Sequence, residues 1–196
     1  MQTHFYIAAR RPRKIYKIAF GRYLTITNIG ITSFICGAAD AIDQKFVEKK
    51  STLDKRRLFS FSLYGALTGV IGSYWYSMAA RLSYFMHHPL RQALLYQVTY
   101  CPLDYMLLYT TVGMVEGQTV AECREEFNEK FLFTYLLDCV IYMPILYLVF
   151  KFVPVHLRLT FDNFIEFGWC IFLSYLKHNP LEDVIRDAKK HLAVES

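Results

Sequence analysis

The chain has 196 residues, 54% hydrophobic and 17% aromatic, with a formal net charge of +5 and only 9 glycines and 6 prolines. That length suits one domain, and long apolar runs with little Gly or Pro exclude disorder and favour helices. A mean hydropathy of +0.21 is high for a soluble protein and low for one built of unbroken greasy spans. The basic balance suits an anionic surface, lipid headgroups or RNA, without choosing between them.

Residues 1–22 form a basic arm carrying Arg10, Arg11, Arg13, Lys14, Lys17 and Arg22, and the first acidic residue is Asp40. An Arg-rich, acid-free start resembles a mitochondrial targeting segment, and no apolar core with a small-residue cleavage site suggests a secretory one. Apolar segments are predicted at 23–44, 58–85, 92–115, 131–153 and 155–177. The first four approach the ~20 residues a helix needs to cross a bilayer. Segment two holds Gly65 and Gly69 at the four-residue spacing that lets a partner backbone approach closely. Pro102 and Pro144 are predicted to kink segments three and four, which in lipid requires neighbouring helices to cover the freed carbonyls. In segment five, Arg158, Asp162 and Glu166 share a face, with Arg158 and Asp162 spaced to pair.

The connectors differ in sign. Residues 45–57 are basic, with Lys45, Lys49, Lys50, Lys55, Arg56 and Arg57, whereas 116–130 is an acidic connector. With four spans these connectors share one side and the arm lies on the other, so the positive-inside rule gives no clean orientation. Residues 179–196 read as a charged amphipathic helix.

The five cysteines form no C-x-x-C. Those in apolar runs read as small hydrophobes rather than as a disulfide framework or zinc site. No phosphate loop, dinucleotide fingerprint, zinc-protease or nucleophile-elbow motif is present, so no cofactor, metal or catalytic residue is expected. What remains is a set of polar groups inside apolar segments, chiefly Asp40, Gln44, Gln97, Asp138 and Arg158. Such groups are costly in a membrane and either line an aqueous path or cross-link helices.

The stretch "EKFLFTYLLDCVIYMPILYLVFKFVPVHLRLTFDNFIEFGWCIFLSYLK" resembles the signature region of the Mpv-seventeen and peroxisomal-membrane-protein family. The landmarks are Phe131, Tyr135, Asp138, Tyr142 to Pro144, Val153 and Pro154, Arg158, Trp169 and Leu173 to Lys177. Upstream, Asp40 and Gln44 resemble the family's D-x-x-x-Q. Gly69 with Tyr74-Trp75-Tyr76, and Gln97 with Pro102, extend the resemblance over residues 22–178. "EGQTV" at 116–120 resembles the mitochondrial "like protein two" branch, inner-membrane proteins implicated in mitochondrial ribosome assembly and translation. Other branches resemble non-selective channels. Several of the family's polar intramembrane positions are apolar or less ionisable here, at Val70, Ser73, Ala80, Tyr96, Leu146 and Val149, while the packing landmarks remain.

The resemblance implies an all-α fold: a polytopic membrane bundle of four to five helices over residues 23–178. Gly65, Gly69, Trp75, Pro102, Pro154 and Trp169 are its expected packing positions. Asp40 and Gln44 read as a polar clasp near the end of the first helix, with Asp43 outside that pair. The expected function is non-catalytic, in mitochondrial ribosome assembly or translation at the inner mitochondrial membrane, ahead of the peroxisomal membrane. The alternative is a non-selective small-solute channel. Expected partners are membrane lipid and the mitochondrial ribosome, through rRNA phosphates or ribosomal proteins, without sequence-specific nucleic-acid binding or a small-molecule substrate. Contacts with rRNA or anionic lipid fall to the arm's cations and to Lys49, Lys50, Lys55, Arg56 and Arg57.

Overall fold

A computed structural model describes residues 24–82, 88–153 and 155–194, and every regular element in them is helical. In chain order these are α1 (Leu24–Ile42), a π-helical turn (Asp43–Val47), α2 (Lys55–Leu82), α3 (Pro89–Thr99), α4 (Cys101–Glu116), α5 (Val120–Phe152), α6 (Val155–His178) and α7 (Leu181–Val194). Two stretches, Thr25–Val47 and Val120–Phe152, are long and apolar enough to cross a membrane. At 1.5 Å per residue, the 33 residues of α5 extend about 50 Å, more than a ~30 Å hydrocarbon core.

The helices close into a ring. α1 packs on α2 and α6, α4 packs on α2 and α5, α5 touches α6, and α3 lies along α5. Contacts fix the directions. Thr32 meets Gly65 and Asn28 meets Ser73, so α1 and α2 run antiparallel. Cys36 Sγ lies 3.5 Å from Cys170 Sγ, and Ser174 bonds Asp40, so α1 and α6 run parallel.

The closest approach is between α1 and α2, and glycine makes it possible. A Cβ at Gly65 would strike the Thr32 carbonyl and lie 2.9 Å from Cys36 Cβ. One at Gly69 would strike Thr32 Oγ1 and lie 3.0 Å from Ile29 Cα. With no side chain in the way, the Thr32 hydroxyl donates to the Gly65 carbonyl at 2.6 Å.

Aromatic side chains fill the rest of the interior. Trp75 is buried, meets Tyr96 edge-on at 5.2 Å, and donates its indole N–H to Thr99 Oγ1 at 2.9 Å. Trp169 packs 6.1 Å from Tyr142 and donates to the Tyr105 hydroxyl at 3.3 Å. Each indole thus packs its ring against aromatic neighbours while satisfying its polar edge, Trp75 buried and Trp169 half-buried.

Two expected segments take a different form. Residues 92–115 are not one kinked helix but α3 and α4, meeting at Tyr100. Pro102 occupies the first turn of α4, where its missing N–H costs nothing. Within α5, Pro144 is accommodated in an unbroken helix. The acidic stretch 116–130 is not a loop. Gly117 ends α4 with φ of 99°, and Thr119 opens α5 with a capping box to Glu122, so Glu116 closes α4 and Glu122, Glu125, Glu126 and Glu129 lie in α5.

Candidate functional site: the charged end of the bundle

The helix directions bring five ends together: the C-terminal ends of α1, α4 and α6 and the N-terminal ends of α2 and α5. Nearly all the buried ion pairing of the described residues is concentrated there.

Its centre is Arg57, in the first turns of α2. Nη2 lies 3.0 Å from Asp40 Oδ1 and 3.2 Å from Asp43 Oδ2, while Nη1 donates to Glu48 Oε2 at 2.8 Å. The Ser174 hydroxyl of α6 bridges the same two aspartates, at 2.7 Å from Asp40 Oδ1 and 2.8 Å from Asp43 Oδ2. The side chains of Arg57, Asp40, Asp43 and Ser174 are buried, and Glu48 is half-buried. Arg57 therefore cannot be a surface contact for phosphate, as its place in a basic run suggested. The guanidinium presents its donors in a fixed planar fork, so separate nitrogens reach Glu48 and the two aspartates at once, a directionality a lysine ammonium lacks.

Asp43 also lies outside its expected role. It is a full member of the network because the π-turn puts it and Gln44 on the buried side of the chain. Gln44 Nε2 donates to Asp40 Oδ2 at 2.7 Å, and Gln44 Oε1 accepts the Asp54 backbone N–H at 2.6 Å. Asp54 in turn accepts from the Arg56 backbone N–H at 2.9 Å, capping α2. Gln44 thus ties the end of α1 to the start of α2.

A second cluster joins α4, α5 and α6. Lys177 reaches Gln118 Oε1 at 3.0 Å and also Glu126. Lys130 bonds Glu126 at 2.9 Å and the Leu176 and Lys177 carbonyls at 2.7 and 3.0 Å, satisfying the exposed acceptors of the α6 C-terminus. Glu116 accepts from Ser60 at 2.7 Å and lies 3.1 Å from His178 Nε2. Burial alone would raise the Glu116 carboxyl, but His178 and Ser60 hold it below the ordinary carboxylate range. At Glu48, burial is likewise outweighed by Lys50 and Arg57, and the carboxyl is again lowered. Ser174 and Lys177 stood in the sequence only as landmarks of the resemblance, and Lys130 had no assigned role. For the two lysines, the signal of a pairing role was a cation inside or beside an apolar run, which burial requires to be paired.

The remaining polar residues lie deeper. Gln97 donates to Asp138 Oδ2 at 2.6 Å, and the Cys101 thiol donates to the same oxygen at 3.1 Å. This links α3, α4 and α5 in a group separate from Asp40 and Gln44. Asp162 accepts from Tyr142, and Asp104 from Tyr64 at 2.7 Å. The side chain of Arg158, Pro154, and the arm cations Arg10, Arg11, Arg13, Lys14, Lys17 and Arg22 lie outside the described residues. Lys49, Lys50, Lys55 and Arg56 are exposed, with Lys50 paired to Glu48 at 2.7 Å and Arg56 Nε donating to the Val115 carbonyl at 2.7 Å.

Comparison with known proteins fits this architecture. Residues 113–174 match the model of the Mpv17 / PMP22 family. Protein SYM1 of Eremothecium gossypii is 28% identical over 170 residues, covering 83% of this chain and 93% of the relative. PXMP2/4 family protein 4 of Dictyostelium discoideum is 26% identical over 161 residues, covering 78% and 86%. Peroxisomal membrane protein 2 of Bos taurus is 23% identical over 155 residues, covering 74% and 79%. No solved structure matches. With its helical ring and its two membrane-length stretches, the chain is a helical membrane protein, and its residues 113–174 match the Mpv17 / PMP22 family.

Proposed function

We propose that the chain is a non-catalytic scaffold of the inner mitochondrial membrane that acts in mitochondrial ribosome assembly or translation, with its charged end facing the ribosome. The supporting observation is how charge is allocated at that end. Arg57, Lys130 and Lys177 are consumed in buried pairing that holds five helix ends in register. Lys45, Lys49 and Lys55 stay exposed around it. A bundle end locked in this way is a rigid platform surrounded by cations, suited to a large polyanionic or mixed-charge partner. Mitochondrial extract solubilised in mild detergent and sedimented on a gradient tests the reading. The chain should travel with a ribosomal subunit or assembly particle at low salt and leave it as salt rises. Absence from every ribosomal fraction at all salt concentrations overturns it.

A second reading, a small-solute channel, draws on different atoms. Gln97 Oε1 and both amide atoms of Asn163 are buried without a protein partner. Such atoms favour internal water. Purified protein in a planar bilayer should then conduct, and Asp138→Asn should change the conductance. A silent bilayer containing folded protein removes this reading.

A further inference from the structure

The segment joining α1 to α2 interleaves exposed cations with exposed apolar side chains. Lys45, Lys49 and Lys55 are exposed, and none has an ion-pair partner among the described residues. Between them Phe46, Val47 and Leu53 are also exposed, Phe46 at 72%. Exposed apolar side chains set among exposed cations suit a boundary between an apolar phase and water. This loop is also not loose. The Lys50 N–H donates to the Gln44 carbonyl at 2.8 Å, the Asp54 N–H bonds the Gln44 side chain, and Lys49 takes a left-handed φ of 56° to make the turn. The mixed face is therefore held in place.

Its position along the chain identifies what covers it. The membrane-length stretch Thr25–Val47 ends here, and its outward side carries Ile26 and Phe34, both exposed, before reaching Phe46. Lipid-facing side chains thus lead directly to the three lysines. Apolar groups at the edge of the acyl layer with cations one headgroup above is the arrangement by which a helix end anchors in an anionic leaflet. Lysine stems can lie along the apolar surface while their ammonium groups reach phosphate.

We infer that Phe46, Val47 and Leu53 insert at the headgroup–acyl boundary while Lys45, Lys49 and Lys55 bind anionic phospholipid headgroups, fixing the charged end at one membrane face. This inference assigns to lipid the same lysines that the ribosomal reading leaves for the ribosome, and it is tested on lipid alone, so the two fail separately.

The full chain is purified in detergent and placed in nanodiscs of phosphatidylcholine with increasing phosphatidylglycerol, and retained lipid is read by native mass spectrometry. Wild type should retain phosphatidylglycerol in preference to phosphatidylcholine and lose that preference as salt is raised. The K45Q/K49Q/K55Q variant should lose about fivefold in affinity per lysine removed. In Phe46→Trp, the added emission above the wild-type background should be quenched by phosphatidylcholine brominated on its acyl chains. Equal retention of both lipids by wild type overturns the inference, as does a preference insensitive to salt. Unquenched emission from the new tryptophan also overturns it. So does a triple variant that keeps the wild-type lipid preference.

Discussion

The Arg57 guanidinium sits 3.0 Å from the Asp40 carboxylate, with 5% and 0% of the two side chains exposed. Removing one partner of such a pair leaves the other charged and buried, which costs about 3–5 kcal/mol. Arg57→Met should therefore lower the thermal stability of the detergent-solubilised protein sharply, with Asp40 and Asp43 left unneutralised. Combining it with Asp40→Asn and Asp43→Asn should recover much of the loss. A mutant cycle with Arg57→Met as one arm and the two aspartate substitutions together as the other reads the coupling on melting temperature, and simple additivity would mean that the cluster is not formed.

Glycines in the same bundle should respond in opposite ways. Gly65→Ala places a methyl against the Thr32 carbonyl and should destabilise by about 1–3 kcal/mol through forced separation of α1 and α2. Gly30 lies in α1 with nothing within 4 Å of its would-be Cβ. Gly30→Ala should stabilise by roughly 0.5–1 kcal/mol, because alanine loses less backbone entropy in a helix. Melting curves of the two variants against wild type decide, and shifts of the same sign would contradict the packing described.

Acid should loosen the charged end. The carboxyls of Glu48 and Glu116 are both held below their ordinary value of 4.5 in the folded protein. Between that value and the lower folded one, the unfolded chain binds more protons than the folded chain. The stabilisation is thus complete above about pH 4.5 and is lost as pH falls through the folded values. Glu116→Gln should flatten the fall in melting temperature over the acid range. An unchanged slope would show that Glu116 titrates alike in both states.

Gly117 is the hinge of the α4–α5 turn, at φ of 99° and ψ of 13°. A side chain there pays about 1–2 kcal/mol for left-handed backbone. Its Cβ would also lie 3.0 Å from Arg56 Nη2. Gly117→Ala should destabilise by that order in chemical or thermal denaturation, and Gly117→Asn by less, since asparagine tolerates this conformation better. The "EGQTV" stretch is accordingly a structural turn: Glu116 bonds Ser60, Gly117 reverses the chain, Gln118 accepts from Lys177, and Thr119 caps α5.

Much of the architecture was legible because helices announce themselves locally. Apolar runs gave five segments, the Gly65 and Gly69 spacing marked a close contact, and the four-residue step from Asp40 to Gln44 put both on one face. The split at Tyr100 was not legible, because a proline reads the same inside a kinked helix and in the first turn of a new one. Nor was the helical form of 116–130, where charge density suggested a connector but the capping box at Thr119 starts α5 early.

By itself, then, the sequence determined that the chain is helical, apolar enough to meet a membrane, and supplied with more charge than its apolar segments could leave unpaired. Only the tertiary structure decided which charges are spent internally. Arg57, Lys49 and Lys55 look alike in a basic run, yet the parallel packing of α1 and α6 brings Ser174 to Arg57 across 117 positions of chain. That contact places Asp40 and Asp43 around one guanidinium and leaves the lysines outside. Burial depends on neighbours supplied from distant segments, and for a charged side chain burial separates a structural ion pair from a free surface cation.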